Sequence, residues 1–155
     1  MQKTNAMRML DRANVKYEVF EYDSQITSGE EVAETLGEDR NHVFKTLVTV
    51  AGSGEHFVFV IPVHETLDMK KAAKVAGVKS IEMLKQKDLF PLTGYIHGGC
   101  SPVGMKKLFK TFVHETASGL SKFYVSGGKV GMQIKVSPSE LQAVVKFEFA
   151  YLVAN

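Results

Sequence analysis

Residues 93–104, TGYIHGGCSPVG, pack a histidine, a thiol and two aliphatic hydroxyls among four glycines and a proline. Glycines at that density let the backbone turn sharply and approach a ligand with bare N–H groups. Far upstream, Lys45 interrupts an apolar β-type run, Phe44-Lys45-Thr46-Leu47-Val48. A lysine in such a strand must find a partner or reach water, so Lys45 is expected to point into a cleft, with the Thr46 hydroxyl beside it. A loop of backbone donors and an inward cation suit an anionic or ester-bearing substrate.

Other chemistries fail on spacing. No two of the histidines (His42, His56, His64, His97 and His114) stand three or four residues apart. His64-Glu65 opens like HExxH, but the fifth position is Asp68, so no metal site is expected. Ser101 lacks the GxSxG frame of a nucleophile elbow: its closing glycine, Gly104, comes a residue late and Pro102 follows it. Cys100 has His97 three residues away, but that spacing guarantees no hydrogen bond between them, and a small apolar filler explains a lone thiol better than a nucleophile does. Neither GxGxxG nor GxxxxGK[ST] occurs. What remains is a site without a side-chain nucleophile and without a cofactor. It can bind, or it can hydrolyse an activated ester by preorganised charge if substrate or water supplies the attack.

The elements that must position these groups are legible as periodicities. Residues 4–13 space Met7, Leu10 and Ala13 helically, with Thr4 or Asn5 as cap. Residues 15–22 alternate as a half-buried strand. Ser28 and Glu31 form a capping box for a helix ending near Gly37. Residues 43–50 and 56–61 form a hairpin, Asp68 caps a helix closed by Gly77, and residues 80–84 make a short strand. Residues 85–89 are expected as a helical turn halted by Pro91. Residues 110–114, 123–125, 130–136 and 145–153 read as further strands. Gly127-Gly128 turns between two of these, and Ser137-Pro138 starts a helix. Hairpins mixed with helices predict a mixed α/β single domain over residues 1–155. Seven or eight strands in so short a chain predict a curved, barrel-like mixed sheet flanked by helices.

Bulk properties narrow the class. The chain has 155 residues, 45% hydrophobic and 23% charged, with a formal charge of +2, so global basicity does not announce nucleic acid. Two lysine clusters, Lys70-Lys71-Lys74 and Lys106-Lys107-Lys110, fit either a solvated helix face or a phosphate-contacting patch. The repeated tetrapeptide VHET, at 63–66 and 113–116, lies in unlike surroundings and reads as coincidence. A single cysteine fits a reducing compartment, no leader-like stretch opens the chain, and no run nears the ~18 apolar residues of a membrane span. A cytoplasmic location is expected.

Four blocks carry a resemblance over nearly the whole chain: FKTLV at 44–48, LDMKKAAKVAGVKSIEM at 67–83, TGYIHGGCSPVGMKK at 93–107 and YVSGGKVG at 124–131. In this order and spacing they resemble the YbaK/EbsC family of free-standing aminoacyl-tRNA deacylases, related to the editing domain of bacterial prolyl-tRNA synthetases. The resemblance implies a mixed α/β barrel-like fold and hydrolysis of the ester in misacylated tRNA, typically cysteinyl-tRNA bearing the proline anticodon. It also implies substrate-assisted attack by the cysteine thiol, and prolyl-tRNA synthetase as a companion that selects the tRNA. Lys45 is then the functional lysine, holding the tRNA 3′ end or the developing charge, with Thr46 beside it. Gly98, Gly99 and Ser101 shape the loop around the carbonyl, Tyr22 stacks on the terminal adenosine, and Ser126 and Gly127 complete the opposite wall. Many relatives carry a branched aliphatic where this chain has Cys100. The alternatives are an alanyl-tRNA(Pro) deacylase of the same superfamily and a non-catalytic tRNA- or synthetase-binding module. A thiol- or serine-dependent hydrolase of small esters is a third.

Overall fold

The computed structural model describes residues 2–26 and 28–155. The chain builds a strand-rich α/β fold from α1 (Asn5–Arg12), β1 (Tyr17–Glu21), α2 (Gly29–Leu36), β2 (Phe44–Ala51), β3 (His56–Pro62), α3 (Met69–Ala76), β4 (Ile81–Met83), α4 (Gln86–Thr93), β5 (Lys110–His114), β6 (Phe123–Ser126), β7 (Met132–Val136), α5 (Pro138–Val145) and β8 (Glu148–Ala150). The strands form a five-stranded mixed sheet, β4-β2-β3-β5-β8, and a three-stranded antiparallel sheet, β1-β7-β6. The mixed α/β class is as expected. The barrel does not close: among the described residues the only backbone bridge from the larger sheet's β2 end to the smaller sheet is Val43 to Tyr124, and the two sheets otherwise meet through side chains.

The hairpin of β2 and β3 is the frame of the larger sheet, in register from Phe44 opposite Pro62 to Val50 opposite His56. Its loop closes where Ala51 N donates to the Glu55 carbonyl (2.8 Å) and Gly54, at φ +93°, takes the left-handed turn. Both faces of β3 are buried, so it reads as an unbroken apolar run. Val58 and Val60 join Phe44, Val48, Phe123, Val125, Ile134 and Val136 in a core between the sheets, sealed by Leu10 of α1 and Leu141 of α5. On the far face Phe57, Phe59 and Ile61 pack with Phe112 under Ala72 and Ala73 of α3 and Leu152 of the C-terminal tail.

Several boundaries differ from expectation. Helix α4 runs through Pro91 to Thr93 and stops at Gly94 in the left-handed conformation. The proline forfeits only a hydrogen bond to a carbonyl at exposed Lys87, which solvent can satisfy. Strand β8 is much shorter than 145–153, because α5 persists through Val144 and Val145, and Lys146 (φ 65°) caps it with N–H to the Gln142 carbonyl. Burial of Leu141 overrides the β-preference of the two valines. Ser28 takes the N-cap position of α2, but its hydroxyl makes no capping bond. Thr4, Asp68 and Ser137 cap α1, α3 and α5 through their side chains as expected.

Candidate active site

Strand β4 covers the outer edge of β2 only at Thr49–Ala51. Upstream of that pairing, six consecutive residues, Val43 to Val48, line a cavity of about 330 Å³. Neighbouring strand residues point to opposite faces, so the cavity reaches β2 along its edge, in the gap between the sheets. Tyr22, Ser126 and Gln133 line it from the three-stranded sheet and the segment leaving it. Gly29 and Val32 of α2 close one side, and Met83, Leu84, Gln86 and Leu89 around α4 the other. His97, Gly98 and Cys100 come from the glycine loop.

Lys45 is the only lysine or arginine among the described residues lining this cavity, and no aspartate or glutamate lines it. It is half-buried and has no carboxylate at ion-pair distance among the described residues. Burial lowers its pKa from the usual lysine value, while Glu30 and Glu65, farther off, pull it partly back. Two buried polar atoms of residues lining the cavity also lack any partner among the described residues, the Thr46 hydroxyl and the Gln133 side-chain carbonyl. Gln133 Nε2 donates to the Tyr22 hydroxyl at a long 3.5 Å. Orphaned buried polar atoms are costly, and their convergence with an unpaired cation marks a place prepared for a ligand.

The loop that delivers Gly98 and Cys100 is fixed by its own polar groups. The Tyr95 hydroxyl donates to the Val103 carbonyl at 2.7 Å, Thr93 Oγ1 to the Leu89 carbonyl at 2.8 Å, and Gly99 N to the Ile96 carbonyl at 2.9 Å. At Gly104 (φ +84°) a Cβ would lie 2.6 Å from the Tyr95 hydroxyl and 2.7 Å from Ala6 N, so only glycine lets the loop return against α1. From the other side, the Thr4 hydroxyl that caps α1 also donates to the Gly127 carbonyl at 2.6 Å. Helix α1 thereby ties together the glycine loop and the β6–β7 turn.

Of the residues expected from sequence, Lys45, Tyr22, Thr46, Gly98 and Ser126 meet at the cavity. Gly99, Ser101 and Gly127 are not among its lining residues. Ser101 is fully buried and its Oγ accepts from Val103 N (3.4 Å) within its own loop. A Cβ at Gly99 would lie 2.8 Å from Val130 N, and one at Gly127 2.8 Å from Met132 Cγ, so both glycines permit close packing behind the wall. Cys100 does line the cavity, but burial pushes its thiol up to about 12, far from a ready thiolate. Sequence reasoning missed Gln133, although it interrupts Met132 and Ile134 as Lys45 interrupts its own strand. Among the described residues no group of three or more His, Cys, Asp and Glu side chains is arranged to hold a metal ion.

Fold and cleft define the class: a small mixed α/β domain with a cavity between two sheets, lined by a half-buried lysine that has no ion pair among the described residues. Residues 23–144 match the aminoacyl-tRNA editing domain family. The chain is 48% identical over 156 residues (99% of this chain, 95% of the relative) to a protein of Enterococcus faecalis (strain ATCC 700802 / V583) provisionally named Cys-tRNA(Pro)/Cys-tRNA(Cys) deacylase EbsC. Over 109 residues, 68% of this chain but 19% of the relative, it is 28% identical to the proline–tRNA ligase of Stenotrophomonas maltophilia (strain K279a). A solved structure described provisionally as a trans-editing enzyme for prolyl-tRNA synthetase shares the fold, with TM-score 0.86 at 24% identity over the whole of both chains. The chain belongs to the aminoacyl-tRNA editing domain family.

Proposed function

We propose that this protein is a trans-editing hydrolase that cleaves the ester of misacylated tRNA, with Cys-tRNA(Pro) as its substrate. The observation that carries the reading is Lys45, a half-buried cation that among the described residues has no ion-pair partner and shares its cavity with no carboxylate. Such a charge is available to the substrate: to the phosphate next to the terminal adenosine, or to the oxygen that becomes negative as the ester breaks. The relative of 48% identity carries the same activity in its name.

The absence of an activated nucleophile on the cavity wall favours attack from within the substrate. The cysteinyl thiol loses its proton to solvent, and its sulfur forms a bond to its own carbonyl carbon. The ester C–O bond breaks, and the ribose oxygen leaves with a proton taken from water. Water then opens the four-membered thiolactone to free cysteine. In this scheme the protein's task is to hold the ester beside Lys45, with the Thr46 hydroxyl on the carbonyl or ribose. The Gln133 carbonyl, an acceptor without a partner, suits the substrate's α-ammonium. Tyr22, half-exposed at the cavity, offers a ring for the terminal adenine. The substrate assigns the reaction to the cytoplasm, with prolyl-tRNA synthetase as the partner that presents proline tRNA.

The test is deacylation of Cys-tRNA(Pro) and Ala-tRNA(Pro) by wild type and Lys45→Ala. Fast, Lys45-dependent loss of cysteine is the expected result. Alanine-selective loss would move the substrate to the alanyl branch, and no turnover of either would leave a binding module.

A further inference from the structure

The charge of this chain is unevenly distributed, and most of the excess lies in the segment around α4 at one lip of the cavity. Residues 83–110 carry five lysines and one aspartate, whereas the rest of the chain carries fourteen cations and sixteen acids. Lys85, Lys87, Lys106 and Lys107 are all exposed, and none is in an ion pair among the described residues; Lys110 instead lies 5.7 Å from the Phe112 ring, on the α3 face of the large sheet. The same segment holds four of the five exposed large apolar residues: Met83, Phe90 (55% exposed), Ile96 (55%) and Leu108 (84%). Its inner side is the cavity wall, since Gln86 and Leu89 of α4 line the site and Phe90 stands next to them on the outside. Lys106 reaches back to α4, with Nζ 5.3 Å from the Phe90 ring centroid.

The opposite lip has the other sign. Helix α2 contributes Gly29 and Val32 to the lining and bears Glu30, Glu31 and Glu34 with no cation of its own. A polyanion whose end enters the cavity is therefore repelled along α2 and attracted along α4.

The second lysine cluster serves another purpose. Lys71 Nζ donates to the Val153 carbonyl and Asn155 Oδ1, each at 2.9 Å, and lies 4.5 Å from the Tyr151 ring centroid. It secures the C-terminal tail on α3, and α3 contributes nothing to the cavity lining.

We infer that the lip formed by α4 and residues 95–107 is the docking surface for the RNA acceptor stem. Its lysines meet backbone phosphates, and the exposed Phe90 ring is available to an unpaired base. The inference rests on the tRNA-ester reading of the cavity and adds to it the path by which the RNA leaves the site. Exposed lysines beside an uncovered aromatic are what a weak, sequence-independent RNA grip requires.

The experiment compares two charge-matched variants, Lys87→Glu/Lys107→Glu on the lip and Lys70→Glu/Lys74→Glu on α3. Two quantities are measured: binding of fluorescently labelled deacylated tRNA(Pro) as a function of salt, and cleavage of cysteinyl-adenosine, an ester too small to touch the lip. The lip variant is expected to lose affinity for tRNA about tenfold or more at low salt. Its log–log salt slope should become shallower by roughly one to two. The α3 variant should stay within about twofold, and both should cleave cysteinyl-adenosine like wild type. Equal losses in the two variants, an unchanged lip variant, or no binding by wild type even at low salt would each overturn the surface. Lip-dependent binding with no cleavage of cysteinyl-adenosine, and none of Cys-tRNA(Pro) in the deacylation assay, would uphold the surface and overturn the hydrolase.

Discussion

Replacing Lys45 with methionine separates what the fold needs from what the site needs. Methionine keeps most of the apolar stem and removes the charge. That charge is half-buried, has no ion pair, and is disfavoured by burial. Deleting it should stabilise the protein by up to about 1 kcal/mol, the modest end of such gains because solvent still reaches the ammonium. For a chain of this length that is an increase in Tm of roughly 2–4 °C. Single-turnover deacylation of Cys-tRNA(Pro) should at the same time slow by about 10²–10³-fold, near 3–4 kcal/mol of transition-state stabilisation. The pH dependence fixes the cause. The folded-state pKa of Lys45 is below its unfolded value of 10.5, so between the two the unfolded chain holds more protons and wild-type stability rises with pH. The advantage of the methionine variant is therefore full at neutral pH and shrinks as pH approaches 10.5. Denaturant melts of both proteins from pH 7 to 10.5 measure it. A variant less stable than wild type, or one with near-normal deacylation, would refute the assignment of Lys45 to the substrate.

Four further outcomes are expected. Cys100→Ala should change the deacylation rate less than tenfold. A pKa near 12 against the usual 9.0 leaves about 10³-fold less thiolate than a free cysteine, so native protein should resist iodoacetamide; rapid alkylation with loss of activity would restore a thiol mechanism. Gln133→Leu should preserve or raise stability, since it deletes an orphaned carbonyl, and should weaken binding of a non-hydrolysable aminoacyl-adenosine at least severalfold; unchanged binding would detach Gln133 from the substrate. Gly99→Ala should cost about 1–3 kcal/mol and slow deacylation by displacing the loop from Val130, and a variant as stable and active as wild type would show that the contact yields. Alkaline pH should destabilise the fold: Cys100 and Tyr17 are raised to about 12, and Tyr95 and Tyr124 are also raised, all chiefly by burial. Their stabilising share is intact below the unfolded values of 9.0 and 10.0 and is lost as pH climbs past them, so urea midpoints of the Lys45→Met protein should fall from pH 9 to 11, and a flat profile would contradict this.

Which parts of this molecule are readable in sequence follows from the range of the forces involved. Helix starts at Thr4, Asp68 and Ser137 and the hairpin at Ala51–Glu55 depend on contacts within a few residues, and each was legible. Where α5 gives way to β8 is a tertiary matter, because Val144 and Val145 have β-type side chains in a helix that Leu141 anchors in the core. The division into two sheets was equally hidden, since one bridge between Val43 and Tyr124, 81 positions apart, decides it. The site shows the same boundary. Lys45 announced itself by being charged in an apolar strand, which is a local contradiction. Ser101 and Gly99 looked equally qualified by composition, yet the hydroxyl turns into its own loop and the glycine abuts Val130.

Gln133 shows how that boundary can be moved. A polar side chain in an otherwise apolar strand of a small domain must be satisfied or serve a ligand. Applied once, the rule finds Lys45; applied along all of β2 and β7, it also selects Thr46, Thr49, Gln133 and Lys135. Thr49 is excluded because its hydroxyl donates to the Phe57 carbonyl at 2.9 Å across the hairpin. Lys135 lies over the Tyr124 ring at 5.7 Å, outside the cavity lining. Beside Thr46, which adjoins Lys45, Gln133 is left with a buried, unpartnered acceptor, and it lines the same cavity as Lys45. The two side chains come from different sheets and offer opposite polarity, a cation and a neutral acceptor. An aminoacyl ester has the matching pair, oxygens that gain negative charge beside an α-ammonium. A carboxylate in place of Gln133 would hold the ammonium more strongly but would also draw Lys45 away from the ester. The neutral amide leaves that cation free for the bond that breaks.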